Sequence, residues 1–395
     1  MPMLSVLSKA RKSLWHATLG LAAIGLAACQ PTGGANTAGP KIDTTVAVPV
    51  ALLVPAGSGQ PGDEVLARSL QNAARLAIAD LGGSTRIDLR VYNTAGQPGQ
   101  AQAMANKAID EGAKIILGPV FAQEANAAGN AAKAKGVNVL AFSNNPDIAG
   151  GNVFILGQTF PNTAARLASY AAQQGKRRIM IVHDQNAAGE VGRKSIEQGV
   201  ARSGASVVAV GSYEFSQNGV VQAAPRIAEA ARANGADAIF LTADTAGALP
   251  MITQMLSENG LSPASTQYMG LTRWDIPQAT LALPGVQNGW FAMPDPNLYN
   301  QYQSRYQAAY GQAPHPISGL AYDGIAAIGA LLKQGKSNAL SGSALTQGAG
   351  FVGVNGIFRL RGDGTNERGL AIASIRNNQV VIIDAAPRSF GGAGF

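Results

Sequence analysis

The chain has 395 residues, 46% of them hydrophobic, and a formal net charge of +7. Its basic residues are scattered rather than gathered into runs, which argues against nucleic-acid binding, since that needs a concentrated basic face. The single cysteine, Cys29, excludes an internal disulfide.

The chain opens on Lys9, Arg11 and Lys12, followed by an apolar stretch over 14–26 that His16, Thr18 and Gly25 interrupt. A membrane span needs about 20 apolar residues, so the stretch fits the charged and apolar regions of a secretory signal instead. Leu26-Ala27-Ala28-Cys29 closes it and resembles the bacterial lipobox. That resemblance implies cleavage after residue 28 and a lipid on Cys29. Gln30, rather than Asp, implies an outer-membrane position facing the periplasm. Removing residues 1–28 takes away three basic residues and no acidic ones, lowering the formal charge from +7 to +4. Residues 29–45 are small, polar and rich in breakers, and are predicted to form a flexible tether.

From Val46 onward, short apolar runs alternate with amphipathic segments. Strands are predicted over 46–54, 86–92, 114–117, 137–142, 178–183, 206–213, 236–241 and 267–270. Between them the spacing predicts helices. Over 63–81, for example, Leu66, Leu70, Ala73 and Ala77 fall on one helical face. Several strands are apolar throughout, as expected where helices cover both faces of a sheet. The βαβα order predicts parallel sheets with right-handed crossovers. It runs on both sides of Gly150-Gly151, a plausible hinge, and about 350 folded residues exceed a usual single core. Two similar α/β lobes are therefore expected. Further on, helices are predicted over 296–310 and 318–333 and strands over 356–361, 371–375 and 379–384. Residues 389–395 read as a disordered tail.

Catalytic and cofactor chemistry finds little support. Gly57-Ser58-Gly59-Gln60-Pro61-Gly62 matches a dinucleotide-binding pattern between strand and helix. The acidic residue that should end the next strand is replaced by Tyr92-Asn93, so the loop reads as a cleft lining and no cofactor is expected. After processing, only His183 and His315 remain, far apart in sequence. His183 ends a buried strand as a core or cleft residue, and His315 sits between Pro314 and Pro316 in a turn. There is no His-Glu cluster for a metal and no nucleophile elbow. Arg361-Gly362-Asp363 reads as a turn between strands. Ligands of open α/β sheets sit beyond the carboxyl ends of the strands. Those ends carry Ser58, Gly118, Pro119, Val120, Ser143, Asn144, Asp184 and Asp244, with Arg273 as a further cleft candidate. Trp274 beside it either stacks on a ligand or packs.

The order of several pieces resembles the type I periplasmic binding proteins of the branched-chain amino-acid receptor group. They are the opening strand Val48-Pro49-Val50-Ala51-Leu52-Leu53-Val54-Pro55, then Ile115-Ile116-Leu117-Gly118-Pro119, then Val139-Leu140-Ala141-Phe142-Ser143-Asn144-Asn145. Ile181-Val182-His183-Asp184 with Ala188-Gly189, Ala321-Tyr322-Asp323-Gly324 and Gly353-Val354-Asn355-Gly356-Ile357-Phe358-Arg359-Leu360 follow. The resemblance implies two α/β lobes, each a parallel sheet flanked by helices, joined by three crossings with the ligand between them. Residues 46–152 and 296–349 would form the first lobe, and 153–295 and 350–388 the second. Amino-acid receptors of the group carry aromatics where this chain has Ala188 and a residue near Asp244, which puts a branched-chain ligand in question.

Gly118-Pro119-Val120-Phe121 and Asn152-Val153-Phe154-Ile155-Leu156-Gly157-Gln158-Thr159 are similar to lipoprotein activators of penicillin-binding proteins. That resemblance implies a non-enzymatic, lipid-anchored regulator of peptidoglycan synthesis with a penicillin-binding protein as partner. The alternative expectation is a substrate-binding protein of an ABC importer, with a permease as partner and an amino acid or other small polar solute as ligand. Contact with the membrane is expected through lipid only.

Overall fold

The computed structural model describes residues 39–83 and 85–391. The predicted signal peptide, Cys29 and the start of the tether lie outside them. The tether's last residues do not behave as a free linker. Ile42 is buried, and its N–H donates to the Ser337 carbonyl at 2.8 Å. Burying this one aliphatic side chain ties residues 39–45 to the body.

The first sheet holds five parallel strands in the order β2-β1-β3-β4-β5: β1 (Val48–Val54), β2 (Ile87–Asn93), β3 (Ile115–Leu117), β4 (Asn138–Ala141) and β5 (Val153–Ile155). Helices α1 (Pro61–Asp80), α2 (Pro98–Asp110) and α3 (Ala122–Lys133) make the crossovers. Prolines open α1 and α2, where their missing N–H leaves no hydrogen bond unmade. The central strands are buried on both faces, which explains their unbroken apolar runs. β5 pairs with β4, so the first sheet reaches three residues beyond the boundary expected at 152.

The second sheet has seven strands in the order β15-β14-β10-β9-β8-β6-β7. Its parallel part comprises β6 (Arg178–Asp184), β7 (Ser206–Tyr213), β8 (Ala238–Leu241), β9 (Gln267–Gly270) and β10 (Trp290–Met293). Helices α4 (Phe160–Gln173), α5 (Ala187–Ser203), α6 (Gln217–Ala233) and α7 (Leu249–Glu258) cover it. The chain then returns to the first lobe through α8 (Pro296–Tyr310) and α9 (Gly319–Leu332), with the short α10 (Gly342–Leu345) after them. Three antiparallel strands follow: β11 (Phe351–Gly353), β12 (Gly356–Leu360) and β13 (Asn366–Arg368). The hairpin β14 (Ala371–Arg376) and β15 (Gln379–Asp384) completes the second sheet, antiparallel to β10.

Phe351, Phe358 and Leu360 pack into the first lobe's core with Tyr302 and Tyr306. Residues 350–360 therefore belong to that lobe, not to the second as expected. Their apolar faces have no room on the second sheet, whose edge β14 and β15 already occupy. The chain crosses between lobes after β5, after β10 and after β13, as the resemblance implied. Distant segments lock the first lobe together. Ser69 on α1 accepts hydrogen bonds from the Tyr306 hydroxyl at 3.2 Å and the His315 N–H at 2.8 Å. The predicted tail is anchored in part, with the Arg359 guanidinium 4.7 Å from the centre of the Phe390 ring.

The third crossing is pinned by a buried ion pair. Arg368 Nη1 lies 3.0 Å from Asp323 Oδ2, and both side chains are sealed from solvent. Asp323 also accepts from the N–H groups of Val354 (2.8 Å) and Asn355 (3.4 Å) and from Asn355 Nδ2 (3.0 Å). Arg368 Nε donates to the Leu156 carbonyl at 2.8 Å, so one guanidinium joins the first and third crossings to α9.

Candidate functional site

The carboxyl ends of β1, β3 and β4 are neighbours, and they gather most of the expected first-lobe residues on one edge. Gly118-Pro119 is a buried cis peptide following β3. The Gly118 N–H donates to the Leu140 carbonyl at 2.8 Å, and the Phe142 N–H to the Pro119 carbonyl at 2.9 Å. Gly118 has φ +88°, and a Cβ there would overlap the Leu53 carbonyl, so the close packing of β1 on β3 requires glycine. Ser143 is buried. Its Oγ accepts from the Asn145 N–H at 3.1 Å and its carbonyl from the Gly157 N–H at 3.2 Å. Val120 is half-buried and Asn144 exposed. Ser58 is half-buried, with its Oγ accepting from the Gln60 N–H at 3.1 Å. Gly96 sits between Ser58 and the Phe121 ring, which links these ends into one wall. Phe121 itself is 40% exposed.

The helices behind this wall start without caps. The N-cap residues of α1, α2 and α3 are Gln60, Gln97 and Phe121, and no side chain of theirs bonds the first turn. The free N–H groups of a helix start favour an anion. Glu124 in the first turn of α3 is fully buried. Burial pushes its carboxyl above the usual range, while the Thr94 hydroxyl and the Phe121 backbone pull it back.

The second-lobe wall is built differently. Asp184 ends β6 and is 7% exposed. Its Oδ1 accepts from Thr242 Oγ1 at 2.7 Å and its Oδ2 from Asn186 Nδ2. Asn186 Oδ1 in turn caps α5 through the Gly189 N–H at 2.8 Å, and Ser216 caps α6 through the Gly219 N–H at 3.0 Å. Asp184 is therefore a positioning residue that orients Thr242 and the α5 cap. Asp244, by contrast, is exposed and its carboxylate forms no hydrogen bond or ion pair among the described residues.

Asp184, Asn186, Ala188, Tyr213, Thr242 and Asp244 surround a cavity of about 100 Å³, closed also by Phe160 and Phe215. The Tyr213 hydroxyl is buried without a hydrogen-bond partner. Burial, reinforced by the charges of Asp184 and Asp244, pushes its pKa far up, so it remains a donor. Phe215 is 58% exposed on the rim. Sequence reasoning passed over Phe160, Tyr213 and Phe215. The signal was Tyr213-Glu214-Phe215 at the end of β7, an aromatic pair at the carboxyl end of a parallel strand.

Two expected residues move. Trp274 is fully buried in the second core, where Gly270 and Gly289 leave space for its ring. It is a packing residue and does not reach a ligand. Arg273 is half-buried and forms a two-pronged ion pair with Asp275, Nε to Oδ1 at 2.9 Å. It lines a cavity of about 170 Å³ at the hinge with Gln158, Asn355 and Arg368.

The sequence profile of the family described as periplasmic binding protein matches residues 47–379. The chain belongs to that family. A curated relative of this periplasmic binding protein is the leucine-specific-binding protein of Salmonella typhimurium, 26% identical over 214 residues. The alignment spans 50% of this chain and 54% of that protein, so the chain spans about half the length of the curated relatives it matches. Among solved structures, one described as a candidate branched-chain amino acid ABC transporter from Rhodospirillum rubrum superposes with a TM-score of 0.73 at 17% identity, covering 85% of this chain and 100% of that one. A solute-binding protein of an ABC transporter from Rhodopseudomonas palustris, in complex with 3,4-dihydroxybenzoic acid, gives a TM-score of 0.60 at 17% identity, covering 87% and 97%. These structures share the two-lobe fold with this periplasmic binding protein.

Proposed function

We propose that this protein is the substrate-binding component of an ABC importer for a small solute carrying a carboxylate and an amine. One observation carries the reading: the two walls are electrostatically opposite. The first-lobe wall offers uncapped helix starts and the Ser58 and Ser143 hydroxyls, which suit a carboxylate. The second-lobe wall has its helices capped by Asn186 and Ser216 and presents the unpaired Asp244 and the Tyr213 hydroxyl, which suit an ammonium and a polar side chain.

The relatives lend support. The leucine-specific-binding protein takes an amino acid, and the Rhodopseudomonas protein was solved with an aromatic acid. A carboxylate is common to both ligands. These transport proteins favour the importer over the activator of penicillin-binding proteins that the sequence resemblance put first. Attachment through Cys29 would hold the protein near its permease.

With Ala188 and Asp244 where relatives carry aromatics, leucine, isoleucine and valine lose side-chain cover worth roughly 1.5–3 kcal/mol each. Calorimetry on the purified protein should show them binding more weakly than about 1 μM, equivalent to about −8 kcal/mol. Polar amino acids should bind more tightly than these, with the gap removed by Asp244→Ala. Sub-micromolar leucine binding would refute the assignment of the second wall. No binding by any amino acid or aromatic acid would refute the importer reading for this ligand class.

A further inference from the structure

A cavity of about 340 Å³ lies apart from the cleft, where the helices of the second lobe meet the third crossing. α4 contributes Thr159, Asn162 and Arg166, α5 contributes Arg202, and the β12–β13 hairpin contributes Arg361 and Arg368. Of the charged side chains that line it, four are arginines and one, Glu367, is acidic.

The arginines are unequally satisfied. Arg166 is buried and pairs with Asp384 Oδ2 at 2.5 Å. Arg361 shares Glu367 with Arg359, its Nη2 lying 2.8 Å from Glu367 Oε2. Arg368 is 4% exposed, and its Nη2 has no hydrogen-bond partner although Nε and Nη1 are both engaged. Arg202 is exposed on the rim and has no ion pair or hydrogen bond among the described residues. A buried guanidinium nitrogen left without an acceptor is costly unless something supplies one. An exposed, unpaired arginine on the same cavity adds uncompensated positive charge. Planar guanidinium groups match the oxygens of phosphate and carboxylate.

We propose that this cavity binds a small anion carrying several phosphate or carboxylate oxygens. The site is separate from the solute cleft, and its walls come from both lobes, so the anion bridges them behind the hinge. It does not depend on which solute the cleft takes.

The test is calorimetric titration of the full chain with inorganic phosphate and, separately, with citrate, at constant ionic strength. The same titrations are run on Arg202→Gln and Arg202→Lys. Arg202 has no partner to lose, so both variants should unfold at the wild-type temperature. The expected result is saturable binding of at least one anion, weakened tenfold or more in Arg202→Gln and largely retained in Arg202→Lys. The tighter of the two anions identifies the preferred oxygen chemistry. Absence of binding to the wild type overturns the proposal. So does equal binding by Arg202→Gln, which would place the anion elsewhere, such as at the uncapped helices of the first lobe.

Discussion

Replacing Asp323 with Ala strips the buried crossing of its only carboxylate. Arg368 would keep its charge in a site where its side chain is 2% exposed, and three donors from Val354 and Asn355 would lose their acceptor. Breaking a buried pair by removing one partner costs about 3–5 kcal/mol, because the remaining charge is left uncompensated. Against a total stability of about 5–15 kcal/mol this is a large fraction. At about 2–4 °C per kcal/mol, the melting temperature should fall by on the order of 10 °C. Urea unfolding followed by circular dichroism gives the free energy directly. The second arm is Arg368→Met placed on Asp323→Ala, which removes the stranded charge. The double variant should be more stable than Asp323→Ala by about 2 kcal/mol, though short of wild type, since the Leu156 carbonyl loses its donor. A loss below about 1 kcal/mol in Asp323→Ala, or no recovery in the double variant, would refute the view that this ion pair pins the crossing.

Two titrations have opposite signs. Burial holds the Glu124 carboxyl above its ordinary 4.5, so the native state binds that proton more tightly than the unfolded chain. Stability from this group therefore falls as pH rises through the range above 4.5, and Glu124→Gln should flatten the profile there. His315 is pushed below its ordinary 6.5 by burial, so its contribution is full above 6.5 and is lost as pH falls through the range below it. Urea midpoints taken across mildly acidic pH on wild type, Glu124→Gln and His315→Gln check both, and a profile unchanged by either substitution would contradict them. Cys29→Ser should release the protein from membranes to the soluble fraction, as a single lipidated residue leaves no other anchor in this reading. Fractionation that finds the variant still on membranes would overturn it.

Much of the fold was legible because long apolar strands and patterned helices announce themselves. β7, β9, β15 and α8 begin and end where periodicity put them. β5, β10, β11 and β13 escaped, since three or four residues are too few to show a period. The first wall was readable for a topological reason. In a parallel sheet all strands end on one edge, so Ser58, Gly118 and Ser143 meet once the strands are found. Trp274 was not readable from its own neighbourhood. Its burial depends on Gly270 and Gly289, one on each of two strands, and only their pairing makes the space. The Asp323–Arg368 pair was hidden for the same reason, because 45 residues separate its members.

The locking of α1 by residues more than 230 positions downstream bears on how the chain acquires its structure. A nascent chain appears N-terminus first, at about 5–20 residues per second during synthesis. β1 and α1 emerge early, but the tyrosines that cover them come from α8, and the second sheet waits for β14 and β15. Neither half can close its core until nearly the whole polypeptide is present. Such high contact order predicts slow, late folding, which would keep the chain pliable for passage through a narrow export channel and leave a C-terminally truncated product with both halves open.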